Sequence, residues 1–537
     1  MDARPANDDR HPAPVQLPNA PALAAGLRHA AWLDTEGAVE AIDHPTALTR
    51  AREAAPFVCH APATARRLSA DTLPAYDLLE LYAFVRPAGV VTPTPRGLAD
   101  ALGLAPPAEL DDAAVTLRQA AVALLREQAA RADEDAPAIA WRMARAGWRW
   151  GPAVLAALGA GGDTEDGPPR RGAGLKAWER LSEWSEQAPE TPPGNQPVGD
   201  AEARARLHEL LGPEAEERPQ QADYASAVTE AFQPRDTPDS PNMVLAEAGT
   251  GVGKTLGYIA PASVWSEKNA GPVWMATYTR NLQTQLDGEL DRLYPEPRRK
   301  RRKVVVRKGR ENYLCLLNFE EAVNALNVSS HGGVAVGLMA RWIAATRDGD
   351  MVGGDFPGWL PELVGKGRTL GLADRRGECI FSACPHYKSC FIEGAVRRAR
   401  RADIVVANHA LVMIQAAMGQ GDEGRLPSRY VFDEGHHVFD AADSAFSAHL
   451  SGRETRELRR WLLGAERGGG RAAGRVRGLE RRVEGLLGDD DDAARALAET
   501  LRAATCLPAD GWHQRIQRGE GEGECEGFLQ AVREQAY

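Results

Sequence analysis

Cysteine is scarce in this chain, with 7 among 537 residues. No run of about 18 apolar residues occurs, which excludes a predicted transmembrane helix. The opening residues lack the apolar centre of a signal peptide. These absences indicate a reducing cytoplasm, where clustered thiols more often bind metal than form disulfides. An excess of positive charge is also missing, since the net charge is -11, although a global sum does not exclude a local basic surface.

The composition that is present, 43% hydrophobic and 26% charged residues, is that of a globular protein with about three or four domains. Strand-like runs such as PVWMATY, KVVVRK, DIVVANH and YVFDEG alternate with helical stretches, which indicates a parallel α/β sheet. MVLAEA is predicted as a further strand. We therefore expect a disordered segment at 1–21, an accessory domain at 22–158 and a Pro/Gly-rich linker at 159–202. An α/β domain at 203–446 and a helical tail at 447–537 are expected to follow.

The stretch AGTGVGKT is typical of a Walker A phosphate loop, which predicts nucleotide binding. Its glycines let the backbone curl so that N–H groups face the phosphates of ATP, beside the positive end of a helix. Lys254 is predicted to reach the β- and γ-phosphates and Thr255 to ligate Mg²⁺. The predicted binding residues of the loop are Gly249, Thr250, Gly251, Gly253, Lys254 and Thr255.

A second acidic motif, RYVFDEGHHVFD, supplies what hydrolysis needs beyond binding. The apolar strand is expected to deliver Asp433 to Mg²⁺ and Glu434 to the attacking water. His436 is placed to couple this site to neighbouring elements. With the Walker A loop upstream, the Walker B interpretation outweighs that of an acidic strand end.

The motif Asp433–Glu434–Gly435–His436 differs by one residue from a DEAH box. Together with AEAGTGVGKT and KGRENYLC, it resembles the DinG/XPD group of iron–sulfur superfamily 2 DNA helicases, and DinG most. The resemblance covers about residues 203–537. It implies base contacts from RPQQADY and contacts to single-stranded or forked DNA from MATYTRNLQTQL and DIVVANHALV. The residues concerned are Arg218 and Gln221 for the nucleotide, and Thr279, Arg280, Gln285 and Asn408 for DNA.

The run CIFSACPHYKSC places three cysteines within a dozen positions, which suggests an incomplete metal site. From the residues alone, an iron–sulfur cluster and zinc remain equally possible. The family resemblance supplies a fourth ligand and favours a [4Fe–4S] cluster in an insert at about 308–395. The four ligands it implies are Cys315, Cys379, Cys384 and Cys390. The basic run from Arg298 to Lys303 leads into this insert and is a candidate for DNA contact.

The N-terminal region faintly resembles the DnaQ-type exonucleases through DLLELYAFVRP and RGLADALGL. Such nucleases need four carboxylates to hold two metal ions. Asp77 matches one, and Asp34 and Glu36 could mimic the first pair, but the acid expected after His60 is replaced. We therefore expect a degenerate, inactive nuclease fold; an unrelated accessory domain is the alternative.

The expected architecture is an α/β P-loop RecA-like helicase lobe with an inserted Fe–S domain and the start of a helical arch, preceded by a small RNase H/exonuclease-like domain. The motifs of a second RecA-like lobe, including its arginine finger, do not occur. The resemblance implies a monomeric ATP-dependent 5′–3′ DNA helicase for repair or replication, with no membrane partner. The alternative is an ATP- and DNA-binding accessory protein without motor activity.

Overall fold

The computed structural model describes residues 15–160, 174–186, 191–216, 218–235, 237, 240–249, 251–327, 329–374, 379–418, 428–447, 451–464, 478–483, 485–488 and 491–536. None of the helices in these ranges is long and apolar enough to cross a lipid bilayer. The described residues form two compact units. The first unit draws on 1–183, 311–391 and 464–488, and the second on 184–310, 392–463 and 489–537.

The strands of the first unit are β1 (Ala22–Ala25), β2 (Ala30–Leu33), β3 (Val39–Ile42), β4 (Phe57–Val58) and β5 (Tyr76–Asp77). Those of the second are β6 (Val273–Thr277), β7 (Val304–Val306), β8 (Ile404–Asn408) and β9 (Arg429–Phe432).

The helices up to the second strand group are α1 (His44–Glu53), α2 (Ala61–Arg67), α3 (Leu78–Val85), α4 (Pro95–Leu102), α5 (Leu110–Ala130), α6 (Ala136–Arg145), α7 (Gly151–Ala157), α8 (Asp200–Leu211), α9 (Pro219–Ala227) and α10 (Lys254–Asn269). Further along are α11 (Arg280–Leu293), α12 (Pro297–Lys303), α13 (Leu316–Ala325), α14 (Gly333–Ala345), α15 (Leu360–Val364), α16 (Phe391–Arg401) and α17 (His409–Met418). The last are α18 (Val438–Phe446), α19 (Gly452–Leu463), α20 (Leu479–Val483), α21 (Asp491–Ala503), α22 (Trp512–Arg518) and α23 (Gly523–Ala536).

The first unit contains a mixed sheet in the order β3-β2-β1-β4-β5. Strands β1 to β3 pair antiparallel, whereas β4 and β5 join β1 in parallel. Helix α3 begins where the Asp77 carboxylate accepts the backbone N–H of Leu79 at 2.8 Å, an N-cap that satisfies a donor at the helix start. The strand expected at PFVCH and the helices expected at DLLELYAFVRP and RGLADALGL are confirmed as β4, α3 and α4.

One hydrophobic core joins the N-terminal residues to the segment 311–391. Phe84, Met143, Phe319 and Trp342 belong to it. At Gly337 of α14 an added Cβ would lie 2.4 Å from the Cγ of Met143, so glycine permits a close approach of α14 to α6.

A buried charge pair crosses the same contact. Arg341 of α14 pairs with Asp133, and its Nε donates to the carbonyl of Phe84 at 2.9 Å. Residues of the domain expected at 22–158 therefore share a core with residues far along the chain, between 314 and 391.

Both predicted boundary segments contain buried residues where the structure describes them. Of the expected disordered segment, residues 15–21 are described and Ala20 is buried; 1–14 lie outside the described residues. Of the expected linker, Ala177 is buried in the core of the first unit and Val198 in a core of the second. Burial of an apolar side chain away from water stabilises the folded state. The Pro/Gly content of the surrounding sequence does not show which side chains are buried in this way.

The second unit contains a parallel sheet in the order β7-β8-β6-β9. Apolar side chains of α10 and α11 pack on one face, and those of α16 and α17 on the other. The four runs PVWMATY, KVVVRK, DIVVANH and YVFDEG are confirmed as strands. Since parallel strands share one direction, the residues that follow β6, β8 and β9 meet at the carboxyl edge of the sheet.

The strand predicted at MVLAEA is not formed. Met243 and Leu245 are 81% and 92% exposed, and none of the described strands pairs with them. Strand β9, which carries the acidic motif, is the last strand of the sheet. An apolar run becomes a strand only when a neighbour completes its hydrogen-bond ladder, and the run alone does not specify that neighbour.

Candidate nucleotide site

The phosphate loop precedes α10 as the sequence predicts. Gly251 and Gly253 adopt φ of +84° and +87°, a region that favours glycine. The loop is also held from outside. Arg218 donates to the carbonyl of Gly251 at 3.1 Å, and the Gln221 amide donates to that of Gly253 at 2.8 Å. These two side chains, expected at a nucleotide base, therefore contact the loop backbone; Gly249 is described, and Thr250 lies outside the described residues.

The acidic motif meets the phosphate loop at the carboxyl edge of the sheet. Lys254 Nζ lies 3.6 Å from Glu434 Oε1. Asp433 follows β9 directly, and its N–H donates to the carbonyl of Ala276 in β6 at 2.8 Å. The structure thus brings the predicted Lys254, Asp433 and Glu434 together, and both members of the Lys254–Glu434 pair remain partly open to solvent.

Tyr258 is a member of this site that sequence reasoning missed. Burial, and then the charge of Asp433, raises the pKa of the Tyr258 hydroxyl, and the same two causes raise the pKa of Tyr224. The position of Tyr258, one helical turn after Lys254, was the available signal, because residues four apart share a helix face.

The environment of the two acids differs. Burial raises the pKa of the Asp433 carboxyl, the charge of Glu434 adds to this, and Lys254 opposes it. Glu434 adopts φ of +54°, which is costly for a residue with a side chain. Such strain is found where the surrounding structure fixes a side chain for function.

Two histidines follow these acids, and the structure gives them different contacts. His436 Nδ1 lies 3.7 Å from Glu434 Oε2. His437, which the sequence analysis did not select, stacks on the ring of Tyr278 with centroids 3.7 Å apart. Because Tyr278 lies between β6 and α11, His437 makes the contact to a neighbouring element that was expected of His436.

The residues expected along DNA lie at the same edge of the sheet. Two of them cap helices, since Thr279 Oγ1 accepts the N–H of Leu282 at 3.3 Å and Asn408 Oδ1 accepts that of Leu411 at 2.9 Å. Arg280 and Gln285 are exposed on α11. The next residue after Asn408, His409, is buried and lies 3.1 Å from the carbonyl of Ala276 through Nε2, so it supports the edge from inside.

The four cysteines of the predicted ligand set all lie in the first unit. Burial raises the pKa of Cys315, and the nearby Cys384 contributes. Burial likewise raises the pKa of Cys384 to about 11, with contributions from Cys390 and Cys379.

Backbone N–H groups point at these sulfurs. Those of Leu317 and Asn318 face Cys315, at the start of α13, and that of Phe381 donates to Cys379 Sγ at 3.3 Å. N–H donors directed at sulfur stabilise thiolate, the form that binds metal. Within the described ranges, no three His, Cys, Asp or Glu side chains group closely enough to hold a metal ion. In a four-iron cluster each sulfur binds a different iron, so the sulfurs stand farther apart than around one ion.

The carboxylates expected of a nuclease do not meet. Asp77 is buried and accepts N–H groups of Ala61, Leu79 and Glu80. Asp34 lies in the turn after β2, where it accepts three backbone N–H groups. Strands β2 and β5 are three positions apart in the sheet, or roughly 14 Å, so these two acids cannot share a metal ion.

Comparison with known proteins places similar sequences among named helicases and nucleases. The chain is 31% identical over 254 residues to the ATP-dependent DNA helicase YoaA of Haemophilus influenzae, covering 45% of this chain and 36% of that protein. It is 32% identical over 260 residues to the ATP-dependent helicase DinG of Mycobacterium tuberculosis, covering 43% and 36%. It is 30% identical over 259 residues to the 3'-5' exonuclease DinG of Bacillus subtilis, covering 46% and 25%.

The chain spans about a third of the length of the first two relatives and a quarter of the third. No family model matches it.

Proposed function

We propose that this chain carries the nucleotide-binding part of an ATP-dependent DNA helicase of the DinG kind. The observation that carries the proposal is the meeting of Lys254, Asp433 and Glu434 at one edge of a parallel sheet, beside the buried Tyr258. Similarity to helicases named DinG and YoaA supports the same reading. Translocation on single-stranded DNA in the 5′–3′ direction follows from the family resemblance alone.

The side chains have distinct roles in this proposal. Lys254 and the N–H groups of the phosphate loop bind the β- and γ-phosphates. Thr255 and Asp433 would hold Mg²⁺, which neutralises charge on the phosphates. Glu434 orients the attacking water and accepts its proton. His437, stacked on Tyr278, relays the state of this edge to α11, where Thr279, Arg280, Gln285 and, from β8, Asn408 contact DNA.

The test is ATP hydrolysis by the whole chain, with and without a single-stranded oligonucleotide. Glu434→Gln is expected to lower hydrolysis at least about a hundredfold while nucleotide binding persists, because the base is lost and the phosphate contacts remain. Glu214→Gln, an exposed change in the same unit, serves as the control. Nucleotide and DNA binding without any hydrolysis that depends on Glu434 would favour an accessory protein without motor activity.

The four cysteines are proposed to hold a [4Fe–4S] cluster. Four thiols, N–H donors aimed at two of them and burial of Cys315 fit such a group. Bound there, the cluster would crosslink the start of α13 to the loop from Cys379 to Cys390. The same loop and helix are also joined by a polar contact, since His386 Nε2 lies 2.9 Å from Glu320 Oε2. Contacts of this kind behind the ligands orient the ligating side chains, so the cluster would depend on it.

Iron and acid-labile sulfide in anaerobically purified protein test this proposal. The wild type and Cys506→Ser are expected to hold about four irons per chain, since Cys506 is an exposed cysteine of the other unit. Cys384→Ser is expected to lose most of them. Zinc in place of iron in the wild type would contradict the cluster.

The N-terminal domain is proposed to be an inactive relative of exonucleases. The carboxylate oxygens of Asp77 and Asp34 accept backbone N–H groups. Their strands, β5 and β2, are three positions apart in the sheet. Hydrolysis of a labelled oligonucleotide by the wild type that disappears in Asp77→Asn, with the fold intact, would contradict this.

A further inference from the structure

Arginines concentrate where two helices of the second unit end. Helix α12, PRRKRRK, carries six cations in seven residues and buries no side chain. Helix α16 ends in the sequence RRARR. The first is followed directly by β7 and the second, after two residues, by β8. Both basic helix ends therefore lie at the amino edge of the sheet, opposite the nucleotide site.

The sheet brings these two helix ends together. Val304 of β7 is in register with Ile404 of β8, and the N–H of Asp403 donates to the carbonyl of Lys303 at 2.8 Å. Ala399 and Ala402 pack against one face of the sheet, whereas Tyr294, just before α12, packs against the other. The arginines of α12 and α16 therefore lie at the same amino edge of the sheet, those of one helix on each face.

Three other cations of these two helices pair with nearby acids. Lys300 pairs with Asp287 and Asp291 at 3.1 and 2.8 Å, Lys303 with Asp403 at 2.8 Å, and Arg397 with Glu393 at 2.7 Å. Seven further arginines are exposed at this edge, and we call them the basic edge. They are Arg298, Arg299, Arg301, Arg302, Arg398, Arg400 and Arg401.

Like charges stand close together on both helices. Arg298 and Arg302 are four apart on α12, and Arg398 and Arg401 three apart on α16, spacings at which like charges destabilise a helix. Helix α12 gains nothing from apolar burial. An anionic ligand would reduce the repulsion between these like charges, and the local excess of positive charge occurs in a chain whose net charge is -11.

We propose that the basic edge binds the phosphodiester backbone of single-stranded nucleic acid, at a site separate from the carboxyl edge. The inference rests on the proposed function in taking nucleic acid as the ligand. Guanidinium groups present paired donors that match phosphate oxygens. Apart from Pro297 at its start, helix α12 consists of cations and offers no apolar side chain that would enter a lipid surface. The five residues of β8 separate the two edges by roughly 13 Å, so a strand held at the basic edge leaves the nucleotide site open.

The experiment measures binding of a fluorescent oligothymidylate to the whole chain by anisotropy over a range of KCl concentrations. The α12 variant is R298Q/R301Q/R302Q and the α16 variant is R398Q/R400Q/R401Q. The matched control, R28Q/R96Q/R126Q, removes the same charge from exposed positions of the first unit. Binding of a fluorescent ATP analogue to each variant reports separately on the nucleotide site.

Each basic-edge variant is expected to bind the oligonucleotide about tenfold or more weakly than the control. Its plot of log affinity against log salt should lose about two from the slope, because three phosphate contacts on a single strand each contribute about 0.7. Binding of the ATP analogue should stay within twofold of wild type.

Two results overturn the inference. One is an affinity and slope equal to those of the control in both variants; the proposed function stands in that case, because DNA is then held elsewhere. The other is a wild type that binds the ATP analogue and no oligonucleotide, which also removes the DNA part of the proposed function. T279A/N408A changes the carboxyl edge instead of the basic edge. If its loss of binding free energy adds to that of the α12 variant when the two are combined, the result supports two separate sites.

Discussion

The two units of the molecule differ in what their described features support: a shared hydrophobic core in the first and an open candidate site in the second. In the first, a single core encloses side chains from both the N-terminal residues and the cysteine-bearing segment. In the second, the acidic strand β9 is at the edge of the sheet and the phosphate loop is open to solvent. Substitutions in the first unit should therefore act on folding, and those at the nucleotide site on ligand binding.

The comparison also gives the residues before position 183 a structural role. Trp178 packs its ring against Phe319 and His386, with centroids 6.0 and 5.5 Å apart. Phe319 is on α13, which starts at Cys315, and His386 lies between Cys384 and Cys390. The N-terminal residues thus contact the segment that presents the thiols, and they act as its structural support.

The largest effect on stability is expected for Arg341→Met in the first unit. The change leaves Asp133 and the carbonyl of Phe84 without the buried guanidinium, at a cost of about 3 kcal/mol. Hydrogen exchange in α3 and in α13 should accelerate together, by about a hundredfold. The exposed Arg347→Met is the control.

The double change D133N/R341M should restore part of the lost protection, because it removes the uncompensated charge as well. Faster exchange in α13 alone, with α3 unchanged, would show that the N-terminal residues and the cysteine segment are two separate folding units.

A smaller effect, dependent on pH, is expected at Glu80. Burial raises the pKa of this carboxyl from 4.5 to about 7, although Trp148 Nε1 donates to it at 3.0 Å. The folded state therefore binds the proton more tightly than the unfolded state, and stability falls as pH rises from about 4.5 to 7.

Glu80→Gln should flatten this dependence by about 2–3 kcal/mol, since glutamine does not ionise and still offers an acceptor oxygen to Trp148. Urea unfolding at several pH values, followed by exchange in α3, is the measurement, and the exposed Glu53→Gln is the control. An unchanged pH profile in Glu80→Gln would mean that this carboxyl is ionised in the folded protein at neutral pH.

The smallest effect on stability is expected at the nucleotide site. Tyr278 is 48% exposed although it stacks on His437. Tyr278→Ala should change the free energy of unfolding of the second unit by about 0.5 kcal/mol or less. The same change should remove the stimulation of ATP hydrolysis by the oligonucleotide. A loss of 2 kcal/mol or more, measured in the same urea experiment, would contradict the division of roles between the two units.

The meeting of Lys254 and Glu434 at the candidate nucleotide site could be predicted because the residues concerned lie in short contiguous motifs. The order of Gly253, Lys254 and Thr255 after two glycines leaves little choice of local structure, and Asp433 and Glu434 end an apolar strand. Tyr258 escaped notice because its role depends on burial against Asp433, which no local pattern reports.

The shared core of the first unit could not be predicted for a different reason. The contact between Arg341 and Asp133 spans 208 positions, and neither residue belongs to a periodic pattern that names the other. The apolar run Met243–Leu245 shows the converse error, since a strong local pattern predicted a strand for which the described residues offer no pairing neighbour. Local signals therefore predicted which residues meet at the candidate site, whereas the shared core depends on long-range packing that they do not report.

Titration of the whole chain with a fluorescent ATP analogue and Mg²⁺ tests the central claim most directly. Lys254→Ala is expected to weaken binding at least about tenfold, because the contact to the β- and γ-phosphates is lost. Thermal stability should remain within about 0.5 kcal/mol of wild type, since Lys254 is partly exposed. The exposed Lys176→Ala is the control. Equal affinity of Lys254→Ala and wild type for the analogue would contradict a phosphate-binding role for this loop.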